Sequence, residues 1–212
     1  MLKKFNKSLI LNKKIILAST SVYRAALLAR LQIAFTVEKP GVDETPYDAE
    51  TAPRLAARLS GEKAIAVARF YQRQDVLVIG ADQVAELEGE PFGQHLSKPG
   101  SRKNALSQLR SMRGRQAIFH SGLAIYDCAT DNLETAVVAT QVTMRNYTDA
   151  QIEHYLDHEA ALDCAGSAKC EGLGIALIAG VQSDDPTALT GLPLIVLTEM
   201  LARAGVDVLS LT

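Results

Sequence analysis

Val76-Leu77-Val78-Ile79 is an unbroken apolar run between Asp75 and Gly80, and three of its members are β-branched. A run of that length and type reads as a buried strand. A buried strand needs layers of structure around it, and the neighbouring sequence provides them. Ile15-Ile16-Leu17-Ala18 is a second such strand, followed by the small polar turn Ser19-Thr20-Ser21 and a helix from Ala25 to Leu31. The hydroxyls of that turn can cap the helix while its free N–H groups point outward. Leu31 to Val37 reads as a returning strand, Pro40 to Pro46 as a loop, and Thr51 to Phe70 as a helix with Pro53 in its tolerant first turn. Gly80-Ala81-Asp82-Gln83 stands at the end of the central strand, and Val84 to Leu87 with Glu90-Pro91-Phe92 suggests a bent or hairpin continuation.

The second half changes character. Ser101 to Met112 is helical, and Gln116 to Tyr126 and Thr135 to Thr143 read as two long antiparallel strands. Thr148-Asp149-Ala150-Gln151 is a capping box opening a helix to about Glu159. Gly166 to Gly174 is loop-like, Ile175 to Ala179 reads as a strand, and Pro193 to Ala204 is the last helix. Strand–helix units around an antiparallel middle predict an α/β fold: a mixed, bent β-sheet flanked by helices, in two lobes around a cleft. The 212 residues suit one such domain, read as 15–212 behind a basic N-terminal extension, residues 1–14. An organellar presequence is the other reading of that extension.

The net charge of -2 gives no reason to expect nucleic-acid or membrane binding, so an anion would need a local cluster of cations. No apolar run is long enough to cross a bilayer. Cys128, Cys164 and Cys170 are odd in number and contain no CxxC pair, which supports neither a disulfide framework nor a zinc knuckle. A reducing, cytoplasmic setting fits that usage.

Neither GxxxxGK[ST] nor GxGxxG is present, so phosphate binding of the usual loop kinds has no support. The helix start at Ser19 to Arg24 remains: unpaired N–H groups, the hydroxyls of Ser19 and Ser21, and the Arg24 fork. A plain cap is its bland alternative. Asp82 at a strand end can hold a metal or orient a water, or can be a turn aspartate. Glu44 is a second carboxylate, in an acidic loop that solvation alone would explain. Lys63 and Lys98 are phosphate cations or surface lysines, with Pro99 stiffening the second. His154 and His158 are spaced like zincin histidines, but Tyr155 stands where that motif needs Glu. Ser121-Gly122 lacks the nucleophile elbow of a hydrolase.

In collinear order these segments resemble the Maf family. Ile16-Leu17-Ala18-Ser19-Thr20-Ser21-Val22-Tyr23-Arg24 is similar to its opening motif. Val42-Asp43-Glu44-Thr45, Glu62-Lys63-Ala64, Gly80-Ala81-Asp82-Gln83-Val84, Lys98-Pro99 and Gly122 follow in register. Cys164-Ala165-Gly166-Ser167, Glu171-Gly172-Leu173-Gly174 and Gly191-Leu192-Pro193-Leu194 complete it, over about residues 15 to 207. The resemblance implies a nucleoside-triphosphate pyrophosphatase that cuts between the α and β phosphates, with a divalent metal (Mg²⁺ or Mn²⁺), a cytoplasmic location and a possible homodimer. It implies catalytic roles for Arg24, Glu44, Lys63, Asp82 and Lys98, with metal held by Glu44 and Asp82. Ser19, Ser21, Tyr23, Gln83 and Glu171 are the implied substrate-binding residues.

Within the family the chain looks most like the branch acting on 7-methyl-GTP. A branch acting on dTTP and UTP would show Arg, Thr and Gln where this chain has Tyr23, Gln83 and Glu171. Val22, Tyr23 and Ala25 depart from proline, tryptophan and a second arginine. The base chemistry points the same way. N7 methylation makes guanine cationic, which suits the aromatic face of Tyr23. Glu171 can accept from the N1–H and exocyclic amine of guanine, whereas a pyrimidine edge would meet it with carbonyls. A pyrimidine pyrophosphatase and a non-catalytic nucleotide sensor restraining cell division are the alternatives.

Overall fold

The computed structural model describes residues 13–89, 95–96, 98–162 and 164–210. Most of the basic extension and the Glu90-Pro91-Phe92 continuation lie outside them. Lys14 already belongs to the fold, as the first residue of β1 (Lys14–Ala18). Its neighbour Lys13 pairs with Asp127 at 2.7 Å.

β1 runs parallel to β3 (Val76–Leu87), from Lys14 opposite Val76 to Ala18 opposite Gly80. On its other side β1 pairs in parallel with β2 (Phe35–Glu38). The parallel part is joined to a long antiparallel one: β3 pairs with β5 (Gln116–Asp127), β5 with β6 (Asn132–Met144), and β6 with β7 (Ile178–Ser183). The short β4 (His95–Leu96) adds to β3 at Ala85 and Glu86. The result is a seven-stranded mixed sheet in the order β2-β1-β3-β5-β6-β7, with β4 beside β3.

Three sequence expectations differ from the structure. Asp82 does not end a strand: β3 continues straight through it to Leu87. What ends is the partner, because β1 stops at Ala18 opposite Gly80. Between that point and the first β4 contact at Ala85, residues 81–84 of β3 have no strand on this flank among the described residues. The expected strand Ile175–Ala179 is split into a 3₁₀ turn, Leu173–Leu177, and β7. Short apolar runs carry no period that separates helix from strand, so the sequence offered no boundary. The returning strand is also shorter than Leu31–Val37. Helix α1 (Val22–Ala29) is followed by turn residues in which Gln32 takes φ 57°.

Period-two alternation along β3 assigns its faces. Leu77, Ile79 and Ala81 join Leu123 and Ile125 of β5, α1 and helix α5 (Leu194–Arg203) in one core. Ala85 and Leu87 join Ala117 and Phe119 in a second core with α3 (Arg102–Met112) and α4 (Asp149–His158). These two cores correspond to the expected lobes, but one sheet runs through both. Between them on the same face sit Gln83 and Ser121, hydrogen bonded at 3.0 Å. The opposite face carries α2 (Ala52–Ala68). That helix comes close because Gly80 and Gly122 have no side chains: a Cβ at either would lie 2.1 Å from the carbonyl oxygen of Ser60 or Ala56.

Candidate active site

A cleft of about 710 Å³ opens where the flank of β3 is uncovered. Ser19, Ser21, Tyr23, Arg24, Glu44, Lys63, Asp82, Gln83, Lys98 and Glu171 all line it. Residues separated by up to 152 positions in the chain are thus brought to one cavity (171 less 19).

Asp82 shares the α2 face of β3 with Gly80 and stands opposite Gly122. Lys63 reaches it from the fourth turn of α2, with Nζ 2.6 Å from Oδ1 of Asp82. The same ammonium lies 2.6 Å from Oε1 of Glu44. Lys63 and Asp82 are buried, at 5% and 7% exposure, while the Glu44 side chain is 57% exposed. Two buried opposite charges in contact satisfy one another, where either alone would carry the full desolvation cost. Burial pushes the Glu44 carboxyl up, but the Lys63 hydrogen bond and the charges of Lys63, Lys98 and Arg24 outweigh it. The net result lies below the ordinary glutamate range.

Arg24 is held by backbone. Its Nε donates to the Gly191 carbonyl at 3.0 Å, and Nη1 donates to the Ala81 carbonyl at 2.9 Å and to Ser19 Oγ at 3.5 Å. It therefore ties the start of α1 to the open flank of β3 and to the turn before α5. Burial lowers the guanidinium pKa, against the raising effect of Asp82 and Glu44. Ser21 caps α1, accepting from Arg24 N, and Ser19 Oγ accepts from Ser21 N at 3.1 Å. The amides of Val22 and Tyr23 have no partner among the described residues. They are the orphan donors that a helix start offers to an anion.

Gln83, an expected substrate-binding residue, lines the cleft with its amide nitrogen already engaged. Its Nε2 is directed to Ser121 Oγ and to the carbonyls of Ala188 and Leu189 at 3.1 and 2.9 Å, which leaves Oε1 for a ligand. Lys98 is exposed at the rim, before the buried Pro99 whose carbonyl accepts from Asn104 Nδ2. Glu171 is exposed and accepts from Cys170 Sγ at 3.4 Å. Burial, with Glu171 beside it, pushes the Cys170 thiol up to about 12. Ser121 is fully buried and donates to the Ala188 carbonyl, a structural use consistent with its missing elbow motif. His154 and His158 lie on an exposed face of α4.

Sequence reading missed His95. It lines the cleft from β4, and both its ring nitrogens are buried without a partner among the described residues. A two-residue strand beside an unpatterned loop gives no signal of its own. Asp185 was missed as well. It is 1% exposed and accepts from Thr187 and from Ile195 N, so it caps α5 and sets the turn that presents the Gly191 carbonyl to Arg24.

Three cations and two carboxylates converge beside a helix start at the point where a parallel strand stops. Fold and cleft together define a mixed α/β protein built to hold a polyanion. The chain belongs to the Maf family: the Maf-like protein family model matches residues 14–204. A protein named 7-methyl-GTP pyrophosphatase from Burkholderia orbicola is 50% identical over 200 residues, 94% of this chain and 93% of its own length. One of the same name from Thiobacillus denitrificans is 52% identical, over 92% of this chain and 94% of that one. Another from Methylobacillus flagellatus is 50% identical, over 92% and 98%. Among solved structures, the Staphylococcus aureus Ham1 protein is similar at a TM-score of 0.44, with 18% identity over 63% of this chain and 73% of that chain.

Proposed function

We propose that the protein hydrolyses 7-methyl-GTP to 7-methyl-GMP and pyrophosphate, and so removes a modified nucleotide. The observation that carries this reading is the convergence of Lys63, Asp82, Glu44, Arg24 and Lys98 on one cleft that also holds Tyr23 and Glu171. Relatives about half identical over nearly the whole chain bear the corresponding name.

In the reaction, water attacks the α-phosphorus in line with the bridging oxygen to the β-phosphorus. That P–O bond breaks, and pyrophosphate leaves with its electron pair. Asp82 orients the water and takes up its proton. Lys63, Lys98, Arg24 and the free amides of α1 hold the phosphate oxygens. Most of the acceleration comes from positioning and charge stabilisation, because phosphoryl transfer offers a protein little covalent work. Tyr23 offers its face to the cationic base and Glu171 accepts from the guanine N1–H and amine.

Across the cleft three side-chain cations (Arg24, Lys63, Lys98) stand against three carboxylates (Glu44, Asp82, Glu171), which leaves no net side-chain charge for a substrate carrying several negative ones. Glu44 and Asp82 already converge on one cation, the Lys63 ammonium. They suit Mg²⁺ or Mn²⁺, which binds through one or two carboxylates plus substrate phosphates. Bound there, such an ion supplies Lewis-acid neutralisation of the phosphate oxygens. The reading extends to a cytoplasmic homodimer. No disulfide forms among the described residues, and none of their helices is long and apolar enough to cross a membrane. Product analysis tests the chemistry: pyrophosphate with 7-methyl-GMP is expected, abolished by a chelator and restored by Mg²⁺ or Mn²⁺. Release of orthophosphate and 7-methyl-GDP would refute the cleavage site. Full activity in excess chelator would remove the metal from the reading.

A further inference from the structure

Glu159 stands outside the cleft and takes no part in phosphate chemistry, yet both its carboxylate oxygens are engaged. It follows α4 directly. Its Oε1 accepts from Lys169 Nζ at 2.8 Å, and Oε2 accepts from the Leu173 amide at 2.8 Å. The carboxylate reaches that amide because Gly172 has no side chain; a Cβ there would lie 2.1 Å from Oε2. One turn earlier, buried Tyr155 accepts from the Lys169 amide at 3.0 Å and donates to the Ser167 carbonyl at 3.1 Å. The end of α4 therefore grips residues 167–173 from both sides, and Glu171 lies within that segment.

Lys169 brings a second observation. Its ammonium lies beside the Tyr23 ring, 5.7 Å from the centroid and in hydrogen-bonding reach of that side chain. Contact with Glu159 first, and with Tyr23 next, raises its pKa above the ordinary lysine value, so it is charged at neutral pH. A cation is thus already placed against the ring assigned to a cationic base. Left unpaired, it would repel that base, while a neutral guanine would feel it far less.

We propose that Glu159 is a positioning residue for base selectivity: it neutralises Lys169 beside Tyr23, so that the ring can accept a cationic purine, and its second oxygen holds the loop that carries Glu171. The inference rests on the proposed 7-methylguanine specificity. Like charges separated by about one ring's breadth, allowing for solvent screening, correspond to a roughly three- to thirtyfold change in affinity.

Calorimetric binding of 7-methyl-GMP and GMP to wild type, Glu159→Gln, Lys169→Met and the double variant tests it. Glutamine keeps an oxygen for the Leu173 amide, so the brace survives while the charge goes. The 7-methyl-GMP to GMP affinity ratio is expected to fall about three- to thirtyfold in Glu159→Gln and to rise in Lys169→Met, where the carboxylate is left alone. The double variant should return near the wild-type ratio, with GTP kcat little changed in Glu159→Gln. Equal weakening of both nucleotides in Glu159→Gln, or no recovery in the double variant, would overturn the proposal and leave only a loop brace. Should Glu159→Gln fail to fold, the opposite-signed shift in Lys169→Met carries the test alone, and an unmoved ratio there overturns it. The readout is product binding, so wild type that binds 7-methyl-GMP but does not cleave 7-methyl-GTP refutes the proposed function and not the pair. Wild type that does not bind 7-methyl-GMP refutes both.

Discussion

Asp82 is the residue on which the proposed chemistry turns, and its surroundings make one substitution especially informative. Asparagine keeps the shape but removes the charge that faces Lys63 at 2.6 Å. Asp82→Asn is expected to lower kcat by between about a hundred- and ten-thousand-fold, the range of a lost proton-handling group. Circular dichroism should still report a folded chain, and retained turnover would make Asp82 merely structural. Glu44 offers a pH test. Its carboxyl titrates lower in the folded protein than in the unfolded chain, so the folded form binds its proton less readily. The stabilisation is therefore whole above the ordinary glutamate value of about 4.3 and is lost as pH falls through the folded value. Denaturation of wild type and Glu44→Gln should show a difference that is flat at neutral pH and vanishes on acidification. A difference growing towards low pH would contradict the Lys63 pairing. These charged residues were legible in sequence as types and motif positions. His95 was not, because an isolated histidine carries no pattern to mark what its ring will meet.

At the scale of elements, the site depends on how closely α2 approaches the sheet. Gly122 stands opposite Asp82 in β5 and faces the Ala56 carbonyl; a methyl group would arrive 2.1 Å from that oxygen. Gly122→Ala must push α2 outward and carry Lys63 away from Asp82. Such overpacking costs about 1–3 kcal/mol or more. Urea denaturation is expected to show that loss together with reduced turnover. Stability and activity both at wild-type level would mean that α2 is not seated by this contact. The strand and helix periods revealed most elements, including the capping box that starts α4. They suggested a bent or hairpin continuation at Val84 to Leu87, but could not reveal that β3 runs unbroken through Gly80 to Gln83, because the change from a parallel partner to an open flank is a property of pairing. For the same reason Asp82 was read at the end of a strand when it sits at the end of its neighbour's.

Over the whole molecule, one sheet face divides into two cores at the Gln83–Ser121 seam, and the cleft opens on the uncovered flank of β3. Composition and alternation anticipated the mixed α/β class, and the resemblance of motifs anticipated which distant segments meet. The 3₁₀ segment before β7, and the grip of α4 on the Glu171 loop, depend on long-range contacts that no local pattern carries. The joint presence of Tyr23 and Glu171 in that cleft underlies the claim of selectivity. The measurement that tests it most directly is kcat/KM for pyrophosphate release from 7-methyl-GTP, GTP, UTP and dTTP, with wild type and Glu171→Gln side by side. Wild type is expected to favour 7-methyl-GTP over GTP, and both over the pyrimidine nucleotides. Glu171→Gln should lose 7-methyl-GTP turnover far more than any turnover of UTP, since a carboxylate facing a carbonyl edge is left unpaired. Highest turnover of UTP or dTTP by wild type, or an unchanged ranking in Glu171→Gln, would contradict it.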